Sequence, residues 1–167
     1  MKNEQQGMQM FWLVAGLAGG LCIASLWPGE PAQAVATDRS SKFALATSEV
    51  SFAGTSEAVF ALDFLTGRLT GGILNNRSGK FTHAYYRNVA ADFQLDPKID
   101  PTYAIVTGRC QLPGARGVTP AQGVVYVAEL TSGKVAAYVF PYKESNRPLP
   151  PAEMTPTDFF TFREAVN

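Results

Sequence analysis

The side chains that could serve as a nucleophile or a general base are few in this chain. It has one histidine, His83, and two cysteines, of which Cys22 lies in an apolar N-terminal stretch and Cys110 in the body. A single histidine cannot build a multi-histidine metal site, and the motifs of serine hydrolases, zinc proteases, P-loops and dinucleotide folds are absent from the sequence. A hydrolase stays an alternative only if His83 lies in a cleft, within hydrogen-bond reach of Cys110, a serine or a carboxylate.

Three aspartates, Asp92, Asp96 and Asp100, recur at a spacing of four residues. On a helix the first two would share a face, but Pro97 ends such a helix, and no glycine turn follows as in a calcium loop. They are therefore interpreted as loop and cap residues rather than as an acid–base pair or a metal site. We expect no catalytic residue, no metal and no cofactor in this chain.

Two stretches of the body are similar to one another and predict β-hairpins. Residues 58–74 read AVFALDFLTGRLTGGIL and residues 124–140 read VVYVAELTSGKVAAYVF, so that Gly67 aligns with Gly133. Each has a β-branched or aromatic run, a polar turn with one glycine, a basic residue and a second apolar run. Glycine amides beside a base could bind an anion, but a solvated hairpin tip is the expected role. Because alanine fills many alternate positions, we expect both faces of the strands to be at least partly covered.

Between the hairpins, the sequence predicts one main helix over Phe81–Leu95. Tyr85, Val89 and Phe93 recur every four residues. With Tyr86 and Ala90 they form an apolar stripe, which is typical of a helix that packs on a sheet. Thr82 is a suitable N-cap residue, and the proline that follows the segment ends the helix.

A short strand is predicted at residues 103–107, and a short helix is predicted near the C-terminus. Thr155, Pro156 and Asp158 are typical of a helix start, with threonine at the N-cap and proline at the first helical position. The phenylalanines that follow would dock on the same chain or bind a partner.

These elements follow the order hairpin, helix, strand, hairpin (ββαβββ), which predicts an α+β fold. We expect an antiparallel sheet of about five strands within residues 43–142, with the main helix packed on it. Residues 143–167 are expected to form a Pro-rich tail with the short terminal helix. PAS-, profilin- and roadblock-like domains are built in this order, which is an analogy of fold alone.

Residues 1–34 have the order of a secretory signal peptide. A charge-free apolar run from Phe11 to Trp27 is followed by a P-G-E-P turn and an A-Q-A sequence. We expect cleavage after Ala34. The alternatives are an uncleaved N-terminal membrane anchor and a helix buried in a soluble protein. Residues 35–42 are polar and predict a linker.

The first hairpin, V-F-A-L-D-F-L-T-G-R-L at residues 59–69, resembles the repeat of quinoprotein-type β-propellers, and the second hairpin matches it more loosely. In that family the repeat is a structural hairpin, and a propeller needs at least about four blades, which this chain cannot supply. The resemblance therefore implies the local hairpin alone, without a quinone or a metal.

The body as a whole also resembles a group of small exported bacterial proteins, chiefly from planctomycetes, which have no assigned activity. The resemblance rests on LDFLTGRLTGGILN and VVYVAELTSGKVAAYVFPY. It implies a location in the periplasm or the cell envelope.

Charge excludes some classes of partner. The 14 basic and 14 acidic residues balance, so the chain lacks the basic surface of a nucleic-acid-binding protein. The sequence favours an exported, non-enzymatic domain that binds a protein, an envelope component or a second copy of itself. The alternatives are a PAS-like ligand sensor with an apolar pocket under the Phe81–Leu95 helix, and the His83 hydrolase. The aromatic residues expected to contact a partner are Tyr85, Tyr86, Phe159, Phe160 and Phe162.

Overall fold

The computed structural model describes residues 12, 16, 37–51, 56–95, 100–113 and 119–163. Met1–Ala34 and Val35–Asn167 form two separate compact units. In the first unit Trp12 and Gly16 are helical, whereas the rest of the leader, with its A-Q-A sequence, lies outside the described residues. Among the described residues, none of the helices combines the length and the apolar character that crossing a bilayer requires.

Ten strands and one short helix make up the described part of the second unit. One sheet is formed by β1 (Thr37–Arg39), β2 (Phe43–Glu49), β3 (Glu57–Asp63), β4 (Arg68–Asn75), β5 (Lys80–Asn88) and β9 (Ala152–Glu153), in the order β1-β2-β3-β4-β5-β9. The other is formed by β6 (Tyr103–Arg109), β7 (Pro120–Glu129), β8 (Lys134–Pro141) and β10 (Thr155–Thr161), in the order β10-β8-β7-β6. Neighbouring strands are antiparallel, apart from the parallel pair of β5 and β9. Helix α1 (Val89–Phe93) directly follows β5.

The core lies between the two sheets. Alternate residues of β2, β3 and β8 are buried, as expected for strands that turn one face toward a core. The ring of Phe140 on β8 lies 4.9 Å from that of Phe60 on β3 and 5.1 Å from that of Tyr85 on β5. Aromatic pairs of this kind add about 0.5–1.5 kcal/mol each to the hydrophobic gain. The cluster therefore holds the sheets together.

The predicted α+β fold with one main helix is wrong, because the second unit is mostly β with two sheets of six and four strands. Residues 81–88 belong to β5, and only Val89–Phe93 is helical, with Asn88 rather than Thr82 as its N-cap. Of the predicted stripe, Tyr85, Val89 and Phe93 are buried, whereas Tyr86 is 43% exposed and Ala90 is half-buried. However, β5 pairs with β4 along its whole length, and its phenylalanine, threonine and tyrosines suit a strand.

The predicted C-terminal helix is also wrong, because Thr155–Thr161 is strand β10. The helix-start signature is a local preference, whereas pairing with β8 satisfies main-chain hydrogen-bonding groups along the whole segment. A bulge between Pro156 and Asp158 shifts the register of this pairing by one residue. The two predicted hairpins are confirmed as β3–β4 and β7–β8, and the strand predicted at 103–107 is confirmed as β6. The two hairpins lie in different sheets.

Three hairpins share one turn construction. Each turn ends in a glycine with positive φ: Gly67 at 62°, Gly79 at 64° and Gly133 at 65°. The side chains of Asp63, Asn75 and Glu129, which precede the turns, accept hydrogen bonds from N–H groups within them. Glycine takes this left-handed conformation without the steric cost that a Cβ brings. The sequence predicts two of these hairpins, and the predicted helix hides the third, between β4 and β5.

Candidate binding surface

The turns considered as anion sites already hold a carboxylate of the chain itself. Asp63 Oδ1 accepts the Leu65 N–H at 2.9 Å, and Asp63 Oδ2 accepts the Thr66 hydroxyl at 2.7 Å. Glu129 likewise accepts two N–H groups of its own turn, at 2.9 and 2.6 Å. Because these donors are engaged by a negative charge, a second anion would be repelled. The two turns are therefore structural.

The sequence predicts solvated hairpin tips, but in the structure other parts of the chain pack on both tips. The Gly67 carbonyl accepts the Val89 N–H at 2.9 Å, so α1 rests on the first tip. The Gly133 carbonyl accepts the Phe162 N–H at 2.8 Å, so the residues after β10 rest on the second. Both glycines are buried, while Leu65 beside the first is 78% exposed.

His83 is buried at 7% exposure, and both of its ring nitrogens are engaged. Nε2 donates to the Lys143 carbonyl at 3.0 Å, since a carbonyl can only accept, and Nδ1 lies 3.0 Å from the Thr82 hydroxyl. His83 lines a surface groove of about 290 Å³, together with residues that include Tyr142 and Leu149. Among the described residues, its hydrogen-bond partners include no cysteine, serine or carboxylate. The condition set for a His83 hydrolase is not met.

Asp92, the first of the three aspartates, is engaged in the fold. Asp92 takes two hydrogen bonds from the Arg87 guanidinium, at 2.8 and 2.5 Å, and accepts the Tyr138 hydroxyl at 3.0 Å. Asp100 is exposed, and Asp96 lies outside the described residues. Within the described ranges, no group of three acidic, histidine or cysteine side chains could hold a metal ion.

The pocket expected for a ligand sensor lacks one of its walls. That pocket required a helix over Phe81–Leu95 above the sheet, and this segment is instead strand β5 followed by α1. The side chains of Val89 and Phe93 are buried in the core. The sensor site as predicted is therefore excluded.

The five aromatic residues expected to contact a partner do not form one surface. Tyr85 is 3% exposed and donates its hydroxyl to the Pro141 carbonyl at 2.6 Å, so it belongs to the core. Tyr86 is 43% exposed on the six-stranded sheet. Phe159, Phe160 and Phe162 are 41, 60 and 47% exposed along β10 and just after it. Phe159 pairs with the buried Ala136 and its ring lies 6.1 Å from that of Phe93, so it turns toward the core, whereas Phe160 pairs with Val135 and turns to the outer face.

Strand β10 is an edge of the four-stranded sheet, since it pairs with β8 alone. Its main chain is a poor template for another strand. Pro156 has no N–H group, a bulge follows it, and Asp158 Oδ1 accepts the Phe159 N–H at 2.8 Å. Such devices blunt an open edge against pairing with other chains. A partner would therefore bind side chains here rather than the main chain.

The outer face of the four-stranded sheet, which we call the apolar face, continues from β10 across β8, β7 and β6. One row of cross-strand neighbours is Phe160, Val135, Ala128 and Ala104, and the next is Asp158, Ala137, Tyr126 and Val106. The Tyr126 ring lies across Gly108, where an added Cβ would come within 3.0 Å of it. Val106 is 55% exposed, and Asp158 is the one charged side chain in these two rows.

The outer face of the six-stranded sheet differs in its charges. It also exposes apolar side chains, among them Leu45, Leu74 and Phe81. However, Asp63 on β3 faces Arg68 on β4 across the sheet, and acidic side chains follow at other positions of the face. A mixed face of this kind is compatible with contact to water, whereas uncharged rows across four strands are typical of a sheet that is covered.

The sequence contains the signal for the apolar face, in the alanine and valine positions of residues 124–140. Those positions predict that both faces of these strands are covered, but they do not reveal the continuity with β10, because β10 is predicted as a helix. No family model, no curated protein and no solved structure matches this chain. The surface is therefore interpreted from its own chemistry.

Proposed function

We propose that this protein is an exported, non-enzymatic domain that acts by binding a protein in the cell envelope through the apolar face and Phe160 of β10. The observation that carries the proposal is the continuity of the uncharged row Val135, Ala128 and Ala104 with the exposed Phe160. Export itself rests on the leader-like order of residues 1–34 in the sequence.

The energetics of the surface support binding. Burying a phenylalanine side chain releases about 1.5–3 kcal/mol relative to leaving it in water. Aromatic residues are enriched at the centres of protein interfaces, where charged residues are depleted. Phe160 and its apolar neighbours have this composition.

A lipid surface fits the same residues less well. Helices and patches that bind membranes by electrostatics carry lysine and arginine beside their apolar side chains. The two rows of the apolar face contain neither residue among the positions described. A protein surface of similar apolar character is the better complement.

Site-specific photo-crosslinking in the producing cells tests the proposal. A photoreactive amino acid replaces Phe160, and in a matched variant it replaces Leu65, which is 78% exposed on the first hairpin tip. We expect a discrete protein adduct from position 160 and none from position 65. Equal labelling at both positions, or no adduct at position 160, would contradict the proposed function.

A further inference from the structure

We infer that the occupant of the apolar face is a second copy of this chain, stacked face to face about a two-fold axis parallel to the strands. This inference rests on the proposed function, because it names the partner of the same surface. The area of the face, the sizes of its side chains and its charge all point to this occupant.

The area of the face suits a dimer. Strands lie about 4.8 Å apart and rise about 3.4 Å per residue, so four strands of about seven residues present roughly 19 by 24 Å. This is on the order of 450 Å² before the relief of the side chains is added. A standard interface takes about 800 Å² of accessible surface from each partner. Phe160, which is 60% exposed and pairs with Val135 of the face, adds to this area, so the face corresponds to an interface at the small end of the size range.

The order of large and small side chains is self-complementary. With the axis parallel to the strands, β10 stacks over β6 of the second copy and β8 over its β7. The large Phe160 then lies over Ala104, and Tyr126 lies over Ala137. An axis across the strands would instead stack β10 on β10, so Phe160 would lie over a residue of β10 rather than over the alanine of β6. Interdigitation of large with small residues is what packed sheets require.

Charge points to the same arrangement. The centre of the face, between β7 and β8, carries Ala128, Val135 and Ala137 and has no group to recognise a charged partner. Asp158 lies on the edge strand, over Val106 of the second copy, so the one charge of these rows is at the margin of the stacked pair and not at its centre. An isologous two-fold contact matches this uncharged centre with itself, and two-fold dimers are the commonest oligomers.

Cysteine cross-linking of the full chain tests the inference. In a background with Cys22→Ala and Cys110→Ala, Ala128→Cys places a thiol next to the axis, and Ala84→Cys places one on the exposed outer face of the six-stranded sheet. With a short bis-maleimide we expect a covalent dimer, at twice 18.0 kDa, from position 128 and not from position 84. Ala137→Cys repeats the test from β8 if Ala128→Cys fails to fold.

A charge at the centre supplies the second measurement. Ala137→Asp would bury two uncompensated carboxylates in the dimer, so we expect self-association to weaken by roughly 100-fold or more, and Ala84→Asp to leave it unchanged. No cross-link at positions 128 and 137 overturns the inference. If the probe at position 160 then captures a different protein, the proposed function stands; if it captures none, both fail.

Discussion

At the scale of single residues, buried polar groups decide how the hairpins are closed. Burial raises the pKa of Glu129, but hydrogen bonds from Ser132 and Thr131 outweigh it and hold that pKa below its usual value. The Thr66 hydroxyl and the Leu65 amide lower the pKa of Asp63 in the corresponding turn. Both carboxylates are thus kept charged by the turns they close.

We expect Glu129→Gln to lower the free energy of unfolding by about 2 kcal/mol near neutral pH, because an amide cannot accept both turn N–H groups as a buried carboxylate does. The folded-state pKa of Glu129 lies below its unfolded value, so this stabilisation is present above the unfolded pKa and is lost as the pH falls through the folded pKa. Urea unfolding at a series of pH values from about 7 down to about 3 measures it.

The matched variant is Asp63→Asn, which changes the more exposed carboxylate of the first hairpin. It should destabilise less, and the difference between Glu129→Gln and the native chain should shrink toward acid. A loss that is the same at every pH would show that the charge of Glu129 is not what closes the turn.

Removal of a buried hydroxyl, that of Tyr103, is expected to stabilise the protein, in contrast to the Glu129 substitution. Among the described residues, Tyr103 has no hydrogen-bond partner for its hydroxyl, and burial raises the pKa of this group to about 12. Tyr103→Phe should therefore raise the free energy of unfolding by about 0.5–1 kcal/mol, since a desolvated polar group is removed. Tyr138→Phe, which removes the hydroxyl bonded to Asp92, should lower it by about 1 kcal/mol. Thermal unfolding of both variants is the measurement. If Tyr103→Phe does not stabilise the protein, the Tyr103 hydroxyl is not an unpaired buried group.

Gly67 and Gly79 have the same backbone conformation, so alanine substitutions at the two positions distinguish backbone strain from steric overlap of the added Cβ. An added Cβ at Gly79 meets no atom within 4 Å, whereas at Gly67 it comes within 2.6 Å of the Ala90 Cβ. We expect Gly79→Ala to cost about 1–2 kcal/mol from its positive φ alone. Gly67→Ala should cost about 1–3 kcal/mol more, from overpacking against α1. Equal losses in denaturant titrations would contradict the contact between the first hairpin tip and the helix.

At the scale of elements, the segment after β4 shows why the sequence predicted part of the fold and missed the rest. Tyr85, Val89 and Phe93 have the period of a helix, and they are core residues, as predicted. The period does not reveal that β4 offers pairing partners along the whole of Lys80–Asn88. Pairing between strands is a non-local gain, and it overrides a local periodicity of this length.

The end of β5 is fixed by two ion pairs of Arg87 and a tyrosine hydroxyl, which together link four elements. Arg87 on β5 binds Asp92 on α1, and through the same guanidinium it binds Glu153 on β9 at 2.6 Å. Asp92 also accepts the hydroxyl of Tyr138 on β8. Asp92, with 9% of its side chain exposed, thus joins the helix to both sheets.

Asp92→Asn should therefore lower the free energy of unfolding by about 2–3 kcal/mol, because it leaves a partly buried guanidinium without the more buried of its two charged partners. The control is Arg77→Gln, which removes an ion pair with Glu144 at 4.0 Å whose two side chains are each 74% exposed. That change should cost about 0.5 kcal/mol or less. Urea unfolding of both variants is the measurement, and similar costs would contradict the linking role of Asp92.

At the scale of the whole molecule, the hairpins and the strand at 103–107 follow from alternation and turn residues near in sequence. Their division into two sheets does not, because it depends on where Phe60, Tyr85 and Phe140 meet. The proposed binding surface could likewise be predicted only in part from the sequence. Its phenylalanines are visible in the sequence, but their continuity with Val135 and Ala128 requires β10 to be a strand beside β8.

The two kinds of phenylalanine give the last test, since one serves the fold and the other the surface. Phe140 is fully buried between the sheets, so Phe140→Leu should lower the free energy of unfolding by about 1–3 kcal/mol through lost packing and lost aromatic pairs. Phe160 is 60% exposed, so Phe160→Ser should change the stability of the dilute chain by about 0.5 kcal/mol or less.

When dimer formation is measured instead of stability, Phe160→Ser should have the larger effect and Phe140→Leu the smaller one. Phe160→Ser should abolish the covalent dimer formed through position 128, because Phe160 loses its contact with Ala104 of the second copy. Phe140→Leu should retain it at temperatures where the chain is folded. If Phe160→Ser destabilises the dilute chain as much as Phe140→Leu does, Phe160 contributes to the fold itself, and β10 is not the free surface on which the proposed binding depends.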